Sequence, residues 1–458
     1  MTLIKIKIKI NFVFILLLAV TATTTTSIST YANEILTWQN CVDELVKNNF
    51  ELQAERKSVD SSRYLLLASK SGFYPQLNAN VGYTYEEAET TFSNRTSSTT
   101  NTTNNYSMSL TASENLFSGL QDYAKIQKAD ASLKIAIAKY DLLRARLSYD
   151  LKVAYTELLY TQKLLTLDQE IVNRRQENLS LVELKFEGGR ENKGAVLLSK
   201  ANSGQAKFDL LQNKYNLQVA RLKLAKIIGR DDDKRINFSV DEGLKINEPS
   251  PLFNNKLNNK LNNKFNNQFD KQFVYKDLIK LTPNYMKLFA EEKLAVSNLK
   301  LAQSTFFPSL NLTGSIGRQD NRFDPKNDRW SIGVSLSFPL FSGGKDYYSA
   351  KSAVEEVVAV SAKRKDMDLQ LINQLNEAYT KYFLSVEKYK VDQEYLEAVI
   401  VRAKIVKSKY NNGLISFDDW DTIENDLISR QKNVLQSYKE RIIAEAYWEE
   451  VQGKGVIP

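Results

Sequence analysis

The sequence predicts a mainly helical protein with membrane-spanning β-strands, built as two tandem repeats. Three observations lead to this fold class. Three short motifs occur twice in the same order, long stretches have a helix-forming composition without proline, and four segments of about ten residues alternate apolar and polar side chains.

The repeats are defined by three pairs of motifs. The pairs are Phe73-Tyr74-Pro75-Gln76-Leu77 with Phe306-Phe307-Pro308-Ser309-Leu310, Leu116-Phe117-Ser118-Gly119 with Leu340-Phe341-Ser342-Gly343, and Lys185-Phe186-Glu187-Gly188-Gly189 with Lys409-Tyr410-Asn411-Asn412-Gly413. The last two pairs share an offset of 224 residues and the first has 233, so the halves differ by nine residues between the first and second motifs. We therefore divide the chain into a first repeat over 33–230, an inter-repeat segment over 231–274 and a second repeat over 275–458.

The amino-terminal residues have the pattern of an export signal. Three lysines within residues 5–9 precede an apolar run over 10–20, and a Thr/Ser-rich stretch follows up to Ala32. The run of about 11 residues is too short for a membrane-spanning helix, which needs roughly 20. We predict a cleaved signal peptide over 1–32.

The composition excludes several classes of function. One cysteine rules out an intrachain disulfide, and the absence of histidine rules out a His-based triad or a His-ligated metal centre. Cys41 follows Gln39-Asn40 rather than small apolar residues, which argues against a lipid-anchored amino terminus. The formal net charge is +8, and basic and acidic residues are mixed along the helical stretches rather than clustered. Such mixing is typical of a solvated helix surface. We expect no enzymatic activity, no cofactor, no bound metal and no nucleic-acid partner.

Very long helices are permitted because no proline occurs from Gln76 to Glu248. Residues 121–184 are rich in Ala, Leu, Lys, Glu and Gln and predict one long helix, which the second repeat matches over 346–408. About 64 residues at roughly 1.5 Å each form a rod of about 95 Å. A coiled-coil-like seam is predicted from Leu147, Leu151, Ala154, Leu158 and Leu165.

Shorter helices are predicted beside the long ones, in antiparallel pairing along one rod. They cover residues 38–71 and 196–228 in the first repeat, and 275–304 and 418–451 in the second. Glycine and asparagine end the long helices at tips over 186–190 and 410–414, where the chain needs a left-handed conformation.

Two β-hairpins, over 74–117 and 307–341, are predicted from the alternating segments. The apolar members are Leu77, Ala79, Val81, Tyr83 and Tyr85, then Tyr106, Met108, Leu110 and Ala112, then Leu310, Leu312 and Ile316, then Ile332, Val334, Leu336 and Phe338. Ser/Thr/Asn/Asp-rich loops are expected over 86–104 and 319–328. The length and alternation fit transmembrane strands with lipid on one side and water on the other, although a soluble sheet with one packed face alternates in the same way.

Three details favour the membrane interpretation, and the first is the length and Ser/Thr/Asn/Asp-rich composition of the loops over 86–104 and 319–328. The polar face is small and uncharged, and four aromatic residues lie near the loop-side ends as interfacial aromatics would. These residues are Tyr85, Tyr106, Phe323 and Trp330. Four strands cannot close a barrel alone, so a membrane location requires the chain to oligomerise.

The repeated order of helix, Phe-x-Pro-x-Leu strand, second strand, Leu-Phe-Ser-Gly, long helix, Lys-Phe/Tyr-x-x-Gly tip and helix resembles the TolC-like outer-membrane efflux duct family over essentially the whole mature chain. The resemblance implies a homotrimer whose twelve strands close one β-barrel in outer-membrane lipid of a Gram-negative bacterium, continuous with a periplasmic α-helical barrel. It implies a passive exit duct of a tripartite efflux pump or type I secretion system. The implied partners are a periplasmic adaptor and an inner-membrane transporter of ABC, RND or MFS type. The alternative is an exported coiled-coil stalk or adhesin without a channel.

The resemblance also implies a periplasmic gate, because acidic residues of the second-repeat tip line the narrow entrance in this family. Alignment on Gly413 places Asp419 at the first acidic position and Thr422 at the second. The gate candidates are therefore Asp419, its neighbours Asp418 and Asp421, and Tyr410, which retains the aromatic residue that the family has at this turn. Helix capping is the alternative role for the first-turn carboxylates.

The charged latch of the family is doubtful here, since its basic tip position holds Ile415 and its acidic partner position holds Ala195. Matching family turns meet the adaptor, so the adaptor-contact candidates are Gly188, Gly189, Arg190, Gly413 and Leu414. For the glycines, turning the chain is the simpler role.

The inter-repeat segment contains an apolar residue at every fourth position. These are Phe253, Leu257, Leu261, Phe265, Phe269 and Phe273. A four-residue period drifts around a 3.6-residue helix and asparagine is a poor helix former, so we expect a tolerated, partly disordered insertion. The sequence does not specify the cargo.

Overall fold

The structure is a computed structural model that describes residues 34–91, 98–230, 237–244, 248 and 275–457. The expected signal peptide over 1–32 and the apolar repeat over 253–273 lie outside the described residues. Residues 237–244 of the inter-repeat segment are described, and they contain a short strand, Phe238–Val240.

The helices confirm the mainly helical fold class. They are α1 (Trp38–Asn48), α2 (Phe50–Ala68), α3 (Gln121–Glu187), α4 (Lys193–Ile228), α5 (Pro283–Gln303), α6 (Lys345–Asn411) and α7 (Phe417–Val451). Both α3 and α6 contain 67 residues, so each is a rod of about 100 Å. None of the described helices has an apolar stretch that would let it cross a membrane.

Two predicted helices are interrupted, and in each a polar side chain caps the new start. Asn49 separates α1 from α2, where its side chain accepts a hydrogen bond from the Leu52 N–H at 2.9 Å and donates to the carbonyl of Ile227 at 3.0 Å. Thr282 caps α5 and Pro283 takes the first helical position. The prediction of continuous helices over 38–71 and 275–304 was wrong. The capping side chains accept hydrogen bonds from backbone N–H groups and so start a new helix at each position.

The strands are β1 (Glu34–Leu36), β2 (Gln76–Thr91), β3 (Ser98–Ser118), β4 (Phe238–Val240), β5 (Ser309–Asp320) and β6 (Asp328–Ser337). β1 and β4 form a small parallel pair. The other four form one antiparallel sheet in the order β2-β3-β5-β6. Among the described strands, β2 and β6 each have a neighbour on one side only.

The loop expected over 86–104 was wrong. β2 continues to Thr91 and β3 begins at Ser98, with pairing from Glu86 opposite Thr103 to Thr91 opposite Ser98. Threonine favours extended backbone, and ladder pairing overrides the general preference of polar residues for loops. In the second hairpin only residues 321–327 lie between the strands.

The sheet register places the alternating apolar residues on one face. Across the four strands, Val81 lies opposite Met108, Leu110 opposite Ile316, and Leu312 opposite Val334. From Leu77 to Tyr85 this face extends along β2 for about 27 Å. Tyr106, which lies opposite Asp320 at the loop-side end of β5, contacts the rings of Tyr83 at 4.7 Å and of Phe323 at 5.8 Å between centroids.

The main hydrophobic cluster lies halfway along the rod, where the β1–β4 pair and the residues after α7 meet α3. It joins Leu36 of β1, Leu151 of α3, Phe238 of β4 and Ile457, which are each at most 2% exposed. The predicted seam residues Leu147, Leu151, Ala154 and Leu158 are buried. Leu165 is only partly buried, and Leu164 packs inward in its place.

The contact between α3 and α7 also includes a row of ion pairs. Ion pairs between α3 and α7 join Lys152 to Glu445 at 3.3 Å, Glu157 to Lys439 at 3.3 Å, Asp168 to Lys432 at 3.5 Å, Arg174 to Glu424 at 2.6 Å and Arg175 to Asp421 at 3.0 Å. Several of these side chains are buried, and removing one partner of such a pair leaves a costly buried charge.

The Leu-Phe-Ser-Gly motif joins the sheet to the long helices. Ser118 donates to the carboxylate of Asp122 at 2.6 Å and accepts from its backbone N–H at 3.3 Å. Ser342 and Asp346 form the same pair at the start of α6. The glycine after each serine has a positive φ, so the motif is a helix cap that needs glycine to redirect the chain.

Candidate functional site at the helix tips

Both long helices end in the same turn. After α3, Gly189 has a φ of 70° and the N–H of Arg190 donates to the carbonyl of Lys185 at 2.8 Å. After α6, Gly413 has a φ of 73° and the equivalent hydrogen bond measures 2.9 Å. Glycine takes this left-handed conformation at little cost, so the backbone alone requires it at both positions.

The adaptor-contact candidates are all exposed. They are Gly188, Gly189, Arg190, Gly413 and Leu414. A Cβ added to Gly189 or Gly413 would meet no atom within 4 Å, so both turns have open space beside them.

An aromatic cluster around Tyr410 holds the two tips together. Tyr410 is 1% exposed, its ring stacks on Trp420 at 4.3 Å between centroids, and Phe417 packs edge-on at 6.3 Å. From the other tip, the Lys185 ammonium lies 3.8 Å from the centre of the Tyr410 ring and also donates to the Tyr410 carbonyl. The Tyr410 hydroxyl donates to Glu191 at 3.3 Å. The first tip therefore clamps the second from both sides.

Burial changes the protonation equilibria in this cluster. Burial raises the pKa of the Tyr410 hydroxyl, and the nearby Glu191 carboxylate raises it further. Burial lowers the pKa of Lys185, with Glu191 acting in the opposite direction. Tyr410 thus stays neutral, and its contacts here are hydrogen bonds and ring packing.

Asp418 and Asp419 lie exposed in the first turn of α7. The cap of this helix is Ser416, whose hydroxyl accepts from the N–H of Asp419 at 3.1 Å and donates to its carboxylate at 2.7 Å. Both carboxylates are near the positive end of the helix dipole, which stabilises them. Their exposure leaves them available to ions in solution.

The Asp421 side chain occupies a different environment. It accepts from Arg175 of α3 at 3.0 Å, from Asn202 of α4 at 3.1 Å and from Asn425 at 2.9 Å. Its side chain is only 14% exposed. Asp421 therefore joins three helices and does not share the surface of its two acidic neighbours.

Sequence reasoning missed the roles of Lys185, Glu191 and Trp420. Lys185 belongs to the repeated tip motif, and Trp420 lies one helical turn from Phe417, so both carried a signal. For Lys185 and Glu191, however, the contact partner Tyr410 lies 225 and 219 residues away along the chain, and local spacing does not indicate such contacts.

Cys41 is a core residue of α1. It is 0% exposed, and burial first, then the nearby Glu44 carboxylate, raise the pKa of its thiol to about 12. Within the described ranges, no three His, Cys, Asp or Glu side chains are grouped to hold a metal ion.

Two 67-residue helices joined to a sheet with one apolar face and two open edges define a channel-forming protein of the outer membrane. The sequence matches the model of the family described as outer membrane efflux protein over residues 41–230 and 274–448, and the chain belongs to that family.

Individual relatives have low sequence identity to this chain, but the aligned region covers most of each protein. Nodulation protein T of Rhizobium leguminosarum bv. trifolii is 20% identical over 409 residues, covering 87% of this chain and 81% of that protein. The alkaline protease secretion protein AprF of Pseudomonas aeruginosa is 20% identical over 75% of this chain and 69% of its own length. The solved structure of the outer membrane protein VceC from Vibrio cholerae superposes with a TM-score of 0.78 at 16% identity, covering 91% of this chain and 96% of that chain.

These matches confirm the expected family and fold and the outer-membrane location. The protein is therefore an outer-membrane efflux protein. The stalk or adhesin alternative has no support among them.

Proposed function

We propose that three copies of this chain form one continuous duct, which a periplasmic adaptor opens and an inner-membrane transporter supplies with cargo. The transporter is of ABC, RND or MFS type, and the duct itself is passive. The four-stranded sheet with its two open edges carries this proposal.

Open edges are costly in lipid, because each unpaired backbone N–H or C=O has no water to bond with. β2 of one copy and β6 of the next can satisfy each other if the copies are arranged in a ring. Three copies supply twelve strands, an even number within the range of outer-membrane barrels. The apolar face would then contact outer-membrane lipid and the Ser/Thr/Asn face would line water.

The same arrangement extends the tube through the helices. Rods of about 100 Å are far longer than a compact core needs, and they begin directly at the sheet. Six long helices and their shorter partners would surround one lumen, which ends at the six tips.

Asp418 and Asp419 would narrow and charge that end of the duct. Three copies of each exposed carboxylate would lie around one axis, where like charges converge and attract multivalent cations. The exposed tip residues Gly188, Gly189, Arg190, Gly413 and Leu414 are the surface left for the adaptor. Tyr410 and Asp421 would instead hold the tips in their closed arrangement through the contacts described above.

Conductance across a lipid bilayer tests the duct and the acidic ring together. The wild-type protein should be extracted from outer membranes as a trimer and should conduct ions, with block by divalent or trivalent cations added on the periplasmic side. Asp419→Asn should weaken that block by about tenfold, since three charges leave the lumen at once. Asp43→Asn is the matched control, because it removes an exposed carboxylate on α1, away from the tips.

A protein that stays monomeric and does not conduct would refute the duct. Conductance with unchanged cation block in Asp419→Asn would keep the duct and remove Asp419 from its lumen.

A further inference from the structure

The charges of α4 are not mixed. This helix contains seven basic residues and one acidic residue, Asp209, which pairs with Lys432 at 3.0 Å. The mixing of basic and acidic residues that we expected along the helical stretches does not extend to this helix. A helix with so large an excess of one sign repels itself unless something of opposite charge lies beside it.

Five of the seven basic residues follow a strict seven-residue spacing. They are Lys193, Lys200, Lys207, Lys214 and Arg221. A seven-residue period keeps one line along a supercoiled helix, and we call this line the basic stripe. None of the five has an acidic residue three or four positions away, and among the described residues none forms an ion pair. Lys207 donates only to the side-chain oxygen of Gln176, at 3.3 Å.

An exposed apolar seam runs beside the basic stripe on α4. Its large members are Leu197, Phe208, Leu211, Tyr215 and Leu222, each at least 50% exposed. With Ala201, Gly204 and Gln218 these positions alternate spacings of four and three residues. That spacing is the mark of a helix partner, and the packing of α4 on α3 uses the other side of the helix.

A second exposed seam with the same spacing lies on α6. Its members are Leu384, Glu387, Val391, Glu394, Ala398, Val401 and Ile405. Val401 is 56% exposed and Ile405 is 51% exposed. Glu394 and Glu397 on this side of α6 are exposed, and neither has an ion pair with another described residue. Glu394 and Glu397 are therefore two carboxylates on α6 that a basic side chain of another copy can pair with.

We propose that α4 of one copy packs against α6 of the next copy through these two seams, with Lys207 paired to Glu397 or Glu394 across the boundary. The inference rests on the proposed ring of copies and names the faces and charges that hold it together. A ring needs two different faces on each copy, and the two seams meet that requirement.

The levels of the two helices support this pairing. Contact between Lys185 and Tyr410 places the two tips at the same end of the rod. α4 starts at its tip and α6 ends at its tip, so residues about equally far from the tips lie at similar heights in every copy of a ring. Lys207 is 14 residues after the start of α4, and Glu397 is 14 residues before the end of α6.

Nearer the tips, counting residues from the two helix ends places like charges opposite each other. Lys200 is seven residues after the start of α4, and Lys404 is seven residues before the end of α6. These like charges repel each other across the boundary. The seam is thus attractive away from the tips and repulsive close to them.

Identical substitutions at neighbouring stripe positions test the inference. In low salt, Lys207→Glu should weaken trimer association by on the order of tenfold, whereas Lys200→Glu should leave it unchanged or strengthen it. Adding Glu394→Lys and Glu397→Lys to Lys207→Glu should restore the trimer, and high salt should reduce every difference. The monomer–trimer equilibrium of the full chain in detergent is measured by native mass spectrometry.

Lys223→Glu is the matched control, since it makes the same charge change on α4 away from the basic stripe. A wild-type trimer that Lys207→Glu does not weaken, or that the acidic-to-basic changes do not rescue, overturns the seam while the duct stands. Equal weakening by Lys200→Glu also overturns it. A wild-type chain that never forms trimers would instead refute the proposed function.

Discussion

At the residue scale, the two Leu-Phe-Ser-Gly motifs differ at the position after the glycine. Leu120 precedes α3 with a φ of 68°, and it is the only non-glycine residue with a positive φ in the part of the chain that the structure describes. Gly344 occupies the matching position before α6 with a φ of 84°. A side chain in this conformation costs about 1–2 kcal/mol, so the first repeat is strained where the second is not.

Leu120→Gly should therefore stabilise the protein. Leu120 is 61% exposed and loses little burial, so relief of backbone strain should exceed the added flexibility of glycine and give about 0.5–1 kcal/mol. Thermal unfolding of the detergent-solubilised protein is the measurement. Gly344→Ala should act in the opposite direction, and a lower melting temperature for Leu120→Gly would contradict the argument.

The tip glycines have the backbone conformation that the sequence predicted. The repeated Gly at 189 and 413 was expected to turn the chain, and both residues have the required positive φ. Whether an adaptor meets them stays a prediction, because their open surroundings are equally suited to solvent.

At the element scale, α3 and α7 meet through charges whose balance depends on pH. Glu450 of α7 lies partly buried beside Asp150 of α3. Burial and then the Asp150 carboxylate raise the pKa of Glu450 to about 7, although Arg146 acts in the opposite direction. The folded state thus favours the protonated form. Its stabilising effect is complete below pH 4.5 and is lost as the pH rises to about 7.

Glu450→Gln should remove this part of the pH dependence. The variant should be more stable than the wild-type protein at pH 8 and similar to it near pH 4.5, as measured by thermal unfolding across that range. Glu440 on the same helix is the control with the opposite sign. Burial raises its pKa, but hydrogen bonds from Lys388 and Gln436 lower it overall, so Glu440→Gln should lose stability at neutral pH. Equal pH profiles for wild type and Glu450→Gln would contradict the assignment.

At the scale of the whole molecule, the sheet decides where the protein meets lipid. Neighbouring residues of β6 lie on opposite faces, with Val334 on the apolar face opposite Leu312 and Ser335 on the polar face opposite Asn311. The proposed duct puts the first in lipid and the second in water.

Val334→Lys and Ser335→Lys test that assignment with the same new side chain. A lysine facing the middle of a membrane costs about 2–4 kcal/mol, so Val334→Lys should reduce the amount of folded trimer in outer membranes. Ser335→Lys should assemble normally and change ion selectivity in bilayers. Equal tolerance of both substitutions would favour a sheet with no lipid face.

Much of this molecule follows from local sequence. The long helices, the glycine turns and the strand alternation each depend on residues within a few positions of one another, so period and propensity were sufficient to predict them. The helix interruptions at Asn49 and Thr282 were missed although both capping residues are visible in the sequence. A capping side chain interrupts a helix only where the neighbouring segments change direction, and that change depends on the rest of the fold. The aromatic Tyr410 was singled out, but its stacking on Trp420 and its clamp by Lys185 were not.

What the sequence alone determined is the doubled plan of the chain, its strand faces and its family, because repeats and periods are written in neighbouring residues. Tertiary structure decided that residues 86–91 and 98–104 are strands rather than loop, that Asp421 binds Arg175 instead of joining the exposed carboxylates, and that α4 presents an unpaired basic stripe. Each of these depends on which distant residue lies opposite, and only the folded chain brings those partners within the few ångströms over which hydrogen bonds and ion pairs act.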